Sequence, residues 1–287
     1  LKVAVLGVGL IGGSIGLAAR ARAGAEVCGY DTDPGALQRA LELGAIDLAA
    51  PDIATAVAGA QVVFAATPVG ALADTVSQAL AHAGEDCAVS DVGSTKLALE
   101  QARRDPRFFG GHPIAGAETT GVAHAREDLF DGASWYLTAE PPAADPRLLQ
   151  RLRGLIEDLG ADPRETPAAA HDRLMASVSH LPHVLANALA AQALAACERE
   201  GAEPLAGPSL REQIRVAGAN SAIWTDIYIA NGPALLAAID ELSGRLQQAR
   251  AIIARGDAET LAAWNESARA ARQSLLGGEP ADPRPDA

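Results

Sequence analysis

A short apolar run that stops at a cluster of glycines constrains this chain more than any other feature. Val3-Ala4-Val5-Leu6 leads into Gly7-Val8-Gly9-Leu10-Ile11-Gly12, and an alanine-rich stretch of helical composition, Ile15 to Ala21, follows. Strand, glycine turn and helix in this order open a dinucleotide-binding βαβ unit. Gly7 permits the tight turn, Gly9 lets backbone approach a pyrophosphate, and Gly12 lets the helix pack close to the strand. The helix start at Leu10 and Ile11 offers unpaired N–H groups and a positive dipole end to the phosphates. A second apolar run, Ala25 to Tyr30, ends in Asp31, nineteen residues after Gly12, where an acidic side chain takes the ribose hydroxyls. Asp31 is followed by Thr32 and Asp33 and not by arginine. A carboxylate pair repels a 2′-phosphate, which favours NAD over NADP. The bland alternative is a glycine turn in a plain α/β protein.

Charge and composition narrow the partners. A formal charge of −13 argues against nucleic acid and anionic membrane surfaces. No apolar run is long enough to span a membrane. A strand begins at Lys2, so the start carries no signal-peptide pattern, and the opening leucine reads as a trimmed or renumbered start. Cys28, Cys87 and Cys197 are far apart and form no C-x-x-C, which suits buried thiols in a reduced cytoplasmic setting.

Further along, Pro34 to Leu43 reads as a helix, Gln61 to Ala66 as a strand ending at Thr67-Pro68, and Val69 to His82 as a helix. Cys87 to Asp91 is a strand that ends in Val92-Gly93-Ser94-Thr95-Lys96, with a helix expected near Leu97 to Arg103. A short strand around Arg107 to Gly110 precedes the loop Gly111-His112-Pro113. Trp135 to Thr138 reads as a late strand, Leu148 to Leu159 as a helix, and Pro163 to Thr166 as an edge strand. The alternation predicts a doubly wound, Rossmann-type parallel sheet covered on both faces. From about Ala168 the strands stop, and alanine and leucine at helical spacing predict an all-helical second domain. The expected division is residues 1–167, 168–276 and a disordered tail at 277–287, where three prolines leave almost no apolar side chains.

Ligands in open parallel sheets bind at the carboxyl ends of strands. Those ends here carry the glycine turn, Asp31, Thr67-Pro68 and Asp91 to Lys96. Thr67-Pro68 is expected on the adenosine or ribose side of the cofactor, or is a plain loop. Ser94 either places a hydroxyl at the nicotinamide end or caps a helix. His112, in a glycine loop at a strand end, is a candidate acid/base, and Glu118 six residues on is a candidate gate. His180 and His183, three apart, share a helix face. Such a pair can bind zinc, but no third ligand is evident, so no metal is expected and contact with a carboxylate substrate is preferred. His171-Asp172 reads as a helix-start feature. Arg215 is the natural carboxylate anchor because its fork pairs bidentately, with Arg211 a solvated neighbour. Trp224 suits the core, a pocket or a subunit contact.

Together, GVGLIGGSIG, DVGSTK, GGHPIAGAETTG, HDRLMASVSHLPH and RVAGANSAIWTDIY, in this order, resemble the prephenate/arogenate dehydrogenases of tyrosine biosynthesis. The resemblance covers about Lys2 to Gln273. It implies a nucleotide-binding domain followed by a helical domain that forms a homodimer. It also implies oxidative decarboxylation: NAD takes a hydride from ring C4, CO2 leaves and the ring becomes aromatic. By motif, His112 would take the proton of the C4 hydroxyl, and Ser94 would hold that hydroxyl and the nicotinamide. Arg215 would bind substrate carboxylate, His183 the side-chain end, Glu118 would belong to the gate, and Trp224 would help close the pocket near the dimer contact. Glu212 stands where some relatives have aspartate, and Ala117 follows Gly116 where others carry a polar residue. The choice between prephenate, arogenate or both therefore stays open. A β-hydroxyacid dehydrogenase would need a catalytic lysine in the second domain, and no lysine follows Lys96. A non-catalytic NAD sensor would leave His112, His183 and Arg215 without roles.

Overall fold

The computed structural model describes residues 1–99, 102–116, 119–139 and 144–277. Eight strands form one sheet in the order β3-β2-β1-β4-β5-β6-β7-β8. They are β1 (Lys2–Leu6), β2 (Glu26–Tyr30), β3 (Leu48–Ala49), β4 (Val62–Ala65), β5 (Ala88–Asp91), β6 (Phe108–Pro113), β7 (Ser134–Thr138) and β8 (Asp162–Glu165). Period-two alternation divides the core between two faces. Val3 and Val5 of β1 pack on one face with Ile15, Phe64, Trp135, Leu152 and Ile156. Ala4 and Leu6 pack on the other with Val63, Leu72, Val76 and Val89. Helices α1 (Leu10–Ala23) and α5 (Pro146–Asp158) cover the first face, and α3 (Ile53–Val57) and α4 (Val69–His82) cover the second. Helix α2 (Pro34–Glu42) starts at Asp33, whose carboxylate accepts the Gly35 N–H at 2.8 Å. Strand order reverses between β1 and β4, and a crevice opens there at the carboxyl ends.

Three expectations are corrected. The sheet is mixed, because β7 runs antiparallel to β6 while every pairing from β3 to β6 is parallel. The loop expected at Gly111-His112-Pro113 is part of strand β6. Phe108 and Phe109 pair with β5, and Gly110 to Pro113 pair with Thr138 to Trp135 of β7. The helix expected at Leu97 to Arg103 is replaced by two short 3-10 turns, Leu97–Leu99 and Ala102–Arg104. Its first N–H groups are taken by a carboxylate from elsewhere in the chain.

The helical half begins with α6 (Ala168–Met175), which passes through a wide π turn, Ala176–His180, into α7 (Leu181–Glu200). Pro182 explains the turn: it has no N–H to give to the Val178 carbonyl one turn back, and its ring crowds that carbonyl. Helix α8 (Pro208–Ile214), a 3-10 turn at Arg215–Gly218 and α9 (Ser221–Ala230) follow. One compact unit comprises Leu1–Leu235 and so includes the sheet and helices α6 to α9; a second begins at Leu236. The second holds most of α10 (Gly232–Arg255) and all of α11 (Ala258–Leu275), and leaves Leu246, Ile253, Trp264 and Leu275 exposed. Among the described residues no single helix is long and apolar enough to cross a membrane. The expected disordered tail lies, from residue 278 on, outside the described residues.

Candidate active site

The glycine turn is built as its sequence demands. Gly7 has φ +96°, and a Cβ there would sit 2.7 Å from the carbonyl oxygen of Ala66. A Cβ on Gly12 would lie 1.9 Å from the Gly7 oxygen, so Gly12 lets α1 close onto the turn. A Cβ on Gly9 would meet nothing within 4 Å. Gly9 therefore leaves open space before the N-terminus of α1, which has no side-chain cap. Uncapped N–H groups facing open space fit a pyrophosphate. Asp31 ends β2, where its carboxylate accepts the Val8 N–H at 2.8 Å and the Asp33 N–H at 2.9 Å. It thus braces the turn as well as lining the crevice beside it.

That crevice is a cleft of about 990 Å³. This lies at the top of the roughly 300–1,000 Å³ range of ligand sites, enough for a cofactor and a small substrate together. Gly7, Gly9, Leu10, Ile11, Asp31, Thr67, Pro68, Ser94 and His112 all line it, with Ile223 and Ile227 of α9. Thr67 Oγ1 lies 3.2 Å from Thr75 Oγ1, which donates to the Ala71 carbonyl at 2.9 Å. Asp226 of α9 accepts the Gly70 N–H at 3.1 Å and so ties α9 to the first turn of α4.

The end of β5 holds a buried ion pair. Lys96 Nζ contacts the Asp91 carboxylate and donates to the Gly111 carbonyl at 2.5 Å. Asp91 also accepts the N–H groups of Gly93 at 2.9 Å and Gly111 at 3.0 Å. Burial lowers the Lys96 ammonium from its ordinary range, and Asp91 opposes that shift. The pair clamps β5 to β6 directly behind His112. Both glycines of β6 permit the approach. A Cβ on Gly111 would lie 2.4 Å from the Asp91 carbonyl oxygen, and one on Gly110 2.3 Å from Thr138 Oγ1. Ser94 is half-buried in the cleft and makes no side-chain hydrogen bond among the described residues, so the helix-cap reading does not hold. Asp172 takes the capping part instead, accepting the Lys96 N–H at 2.8 Å and the Leu97 N–H at 2.9 Å.

His112 is held from behind. Its Nδ1 lies 2.9 Å from His171 Nε2, and His171 Nδ1 lies 2.8 Å from the buried Asp172 carboxylate. Burial, then the Lys96 charge and the His171 and His180 rings, push the His112 imidazole well below its usual 6.5. Burial works against the Asp172 carboxylate, but donors from His171, Leu97 and Lys96 hold it below the usual range. A neutral imidazole with a bare nitrogen toward a ligand cleft is equipped to take a proton.

A second cluster forms beside this one. The His183 ring stacks on Trp224 with centroids 3.7 Å apart, and Nδ1 contacts the Tyr228 hydroxyl. Burial lowers His183 below its usual value and takes His180 down to about 4. His180 Nε2 has no hydrogen-bond partner among the described residues, whereas a hydrogen bond with the Val216 backbone opposes the lowering of His183. His180 Nδ1 lies 3.0 Å from the Asn231 amide, which also donates to the Asp172 carbonyl at 2.8 Å. Arg215 is exposed on the 3-10 turn packed against α7. His183, Trp224 and Arg215 do not line the cleft themselves. Trp224 reaches its edge through Ile223 and Ile227 on the same helix. Glu118 lies outside the described residues. Among the described residues no group of three metal-binding side chains converges. Sequence reasoning passed over the Asp91–Lys96 pair and the His171–Asp172 link. The paired charges five apart around a glycine turn were the one available signal.

A family model described as "Prephenate dehydrogenase, nucleotide-binding domain" matches residues 15–163, and one described as "Prephenate dehydrogenase, dimerization domain" matches residues 167–266. A prephenate dehydrogenase of Bacillus subtilis (strain 168) is 32% identical over 285 residues, covering 95% of this chain and 76% of that protein. The crystal structure of prephenate dehydrogenase from A. aeolicus in complex with hydroxyphenyl propionate and NAD+ has a TM-score of 0.87 and 28% identity. It covers 96% of this chain and 98% of that one. Synechocystis arogenate dehydrogenase has a TM-score of 0.82 and 28% identity, covering 96% of this chain and 100% of that one.

Proposed function

This chain belongs to the prephenate dehydrogenase family, and we infer from that premise and from the cleft that it is an NAD-dependent enzyme converting prephenate to 4-hydroxyphenylpyruvate. The observation that carries the reading is His112. A neutral imidazole backed by His171 shares one cleft with Ser94 and an uncapped glycine turn. Gly7, Gly9, Gly12, the first turn at Leu10 and Ile11, and Asp31 would hold NAD, with Thr67 and Pro68 beside them. When bound, NAD supplies the acceptor for the hydride leaving ring C4.

The rest falls to side chains. His112 takes the proton of the C4 hydroxyl, which Ser94 positions. As the bond from ring C1 to its carboxylate breaks, its electron pair enters the ring and CO2 departs. His112 then returns the proton to the phenolate oxygen, leaving the ring aromatic and the proton count unchanged. Arg215 anchors substrate carboxylate through its planar fork, in a chain whose overall charge of −13 repels a dianion. His183 takes the side-chain end, Trp224 closes the pocket and Glu118 belongs to its gate. Aromatisation and loss of CO2 drive the reaction, so alignment and proton removal are what the protein must contribute.

The family model over residues 167–266 and the exposed Leu246, Ile253 and Trp264 support a homodimer formed through the helical half. Free cysteines without paired spacing support a cytoplasmic setting. The test is NADH formation, followed by its near-ultraviolet absorbance, with prephenate and arogenate offered in parallel. Turnover of prephenate is the expected result. No NADH from either substrate would end the enzyme reading, and turnover of arogenate alone would change the substrate.

A further inference from the structure

We propose that Asp172 and His171 are positioning residues that decide which nitrogen of His112 acts as the base. The proposal rests on His112 being the proton acceptor of the reaction above. The three side chains form a line: Asp172 Oδ1 to His171 Nδ1 at 2.8 Å, then His171 Nε2 to His112 Nδ1 at 2.9 Å. An ionised carboxylate only accepts, so His171 carries hydrogen on Nδ1. A neutral His171 then turns the Nε2 lone pair to its neighbour, and His112 must donate through Nδ1. The hydrogen-free nitrogen of His112 is therefore Nε2, the one left for the cleft. With the opposite tautomer, Nε2 would carry a hydrogen and could not take another. As His112 gains charge, the buried Asp172 carboxylate offsets it through His171.

Asp172 is placed to hold this arrangement. It is fully buried, and three donors fill it: the His171 ring and the backbone N–H groups of Lys96 and Leu97. Asn231 fixes the Asp172 carbonyl at 2.8 Å. One carboxylate thus sets the His112 ring from behind and anchors the turn that follows Ser94. A buried polar link serving stability alone would not need the base in one tautomer, so the two readings differ in a measurable way.

The test is ¹⁵N NMR of the full-length enzyme with labelled histidine, the His112 ring assigned by its loss in His112→Asn. The expected result is hydrogen on Nδ1 and a bare Nε2. Hydrogen on Nε2 in the wild type overturns the proposal whatever the activity. Asp172 Oδ1 takes both the His171 ring and the Lys96 N–H, so Asp172→Asn keeps its amide oxygen there and should leave the His112 tautomer unchanged. Asp172→Leu removes the acceptor, and His112 is expected to show both tautomers, with kcat lowered about 10-fold or more and KM little altered. His171→Gln keeps an acceptor oxygen for His112 and His171→Leu does not. The glutamine variant should retain at least about 10-fold more kcat than the leucine variant at similar thermal midpoint. Equal kcat in the two folded variants, or wild-type kcat in His171→Leu, would refute the positioning role. A wild type with the expected tautomer but no turnover would fault the assigned reaction and not the relay.

Discussion

Replacing Lys96 with methionine removes one charge from a fully buried ion pair. Lys96 is 1% exposed and Asp91 is 0% exposed. In Lys96→Met, Asp91 keeps the N–H groups of Gly93 and Gly111 but loses its cation, and the Gly111 carbonyl loses its donor. Breaking a buried pair by deleting one partner costs about 3–5 kcal/mol. Two surviving N–H bonds place this case near the lower end, about 3 kcal/mol. At about 2–4 °C per kcal/mol for a chain of this size, Tm should fall by about 6–12 °C. Thermal melts by circular dichroism on the wild type, Lys96→Met, Asp91→Asn and the double variant complete the cycle. The double variant should be more stable than the sum of the single losses predicts, because a neutral amide no longer needs a cation. A Tm within about 1 °C of wild type in Lys96→Met, or strict additivity in the cycle, would refute the clamp. A second readout has a definite sign. The Lys96 charge helps depress His112, so its removal should move the acid limb of kcat/KM to higher pH.

The His112→Asn variant should lose about 10²- to 10⁴-fold in kcat with near-normal KM in steady-state assays; near-wild-type turnover would exclude His112 as the base. The depressed His112 pKa keeps the base free as pH falls, so wild-type kcat/KM should decline on the acid side only below 6.5; a midpoint above that value would contradict the buried ring. His180 is lowered to about 4, so the unfolded chain binds a proton between 6.5 and about 4 that the folded chain refuses. The associated stability is present above 6.5 and lost as pH falls toward 4, on the order of 3 kcal/mol. Urea midpoints across that window should fall in the wild type and fall less steeply in His180→Gln, where the lowered His112 and His183 still contribute. Gly9→Ala should keep its Tm but raise KM for NAD, because the methyl enters open space, while Gly12→Ala should lose stability against the Gly7 oxygen. Asp31→Ala should weaken NAD and narrow its advantage over NADP, and unaltered cofactor preference would remove Asp31 from the ribose site.

Local chemistry made much of the fold readable. The glycine turn, Asp31 and the strands up to Asp91 obey rules that act over a few residues, and the helical half announces itself through alanine and leucine spacing. The double glycine before His112 predicts a loop, because glycine marks loops more often than strands. Its true reason, the approach of β5 and the Lys96–Asp91 pair, is tertiary. The helix expected after Lys96 failed for a similar reason: Asp172, seventy-six positions away, claims its first N–H. His171 and Asp172 looked like the start of a helix, which they are, and nothing in their neighbours' identity shows that the helix delivers them behind His112. Ser94 and His112 stand at strand ends that the sequence already marks, and both line the cleft. The division of the candidate residues between that cleft and an adjoining His183–Trp224 cluster was not legible.

The π turn at Ala176–His180 acts as a phase shifter. It holds one residue more than an α turn, and each residue of an α-helix advances about 100°. Everything from Leu181 onward is rotated relative to the helix that carries His171 and Asp172. Deleting one of the turn's first four residues would leave every functional side chain in the sequence. The two histidine positions would nonetheless fall out of step, with His171 still behind His112 and His183 swung off Trp224. The length of that one turn is thus as much a part of the site as the residues that flank it.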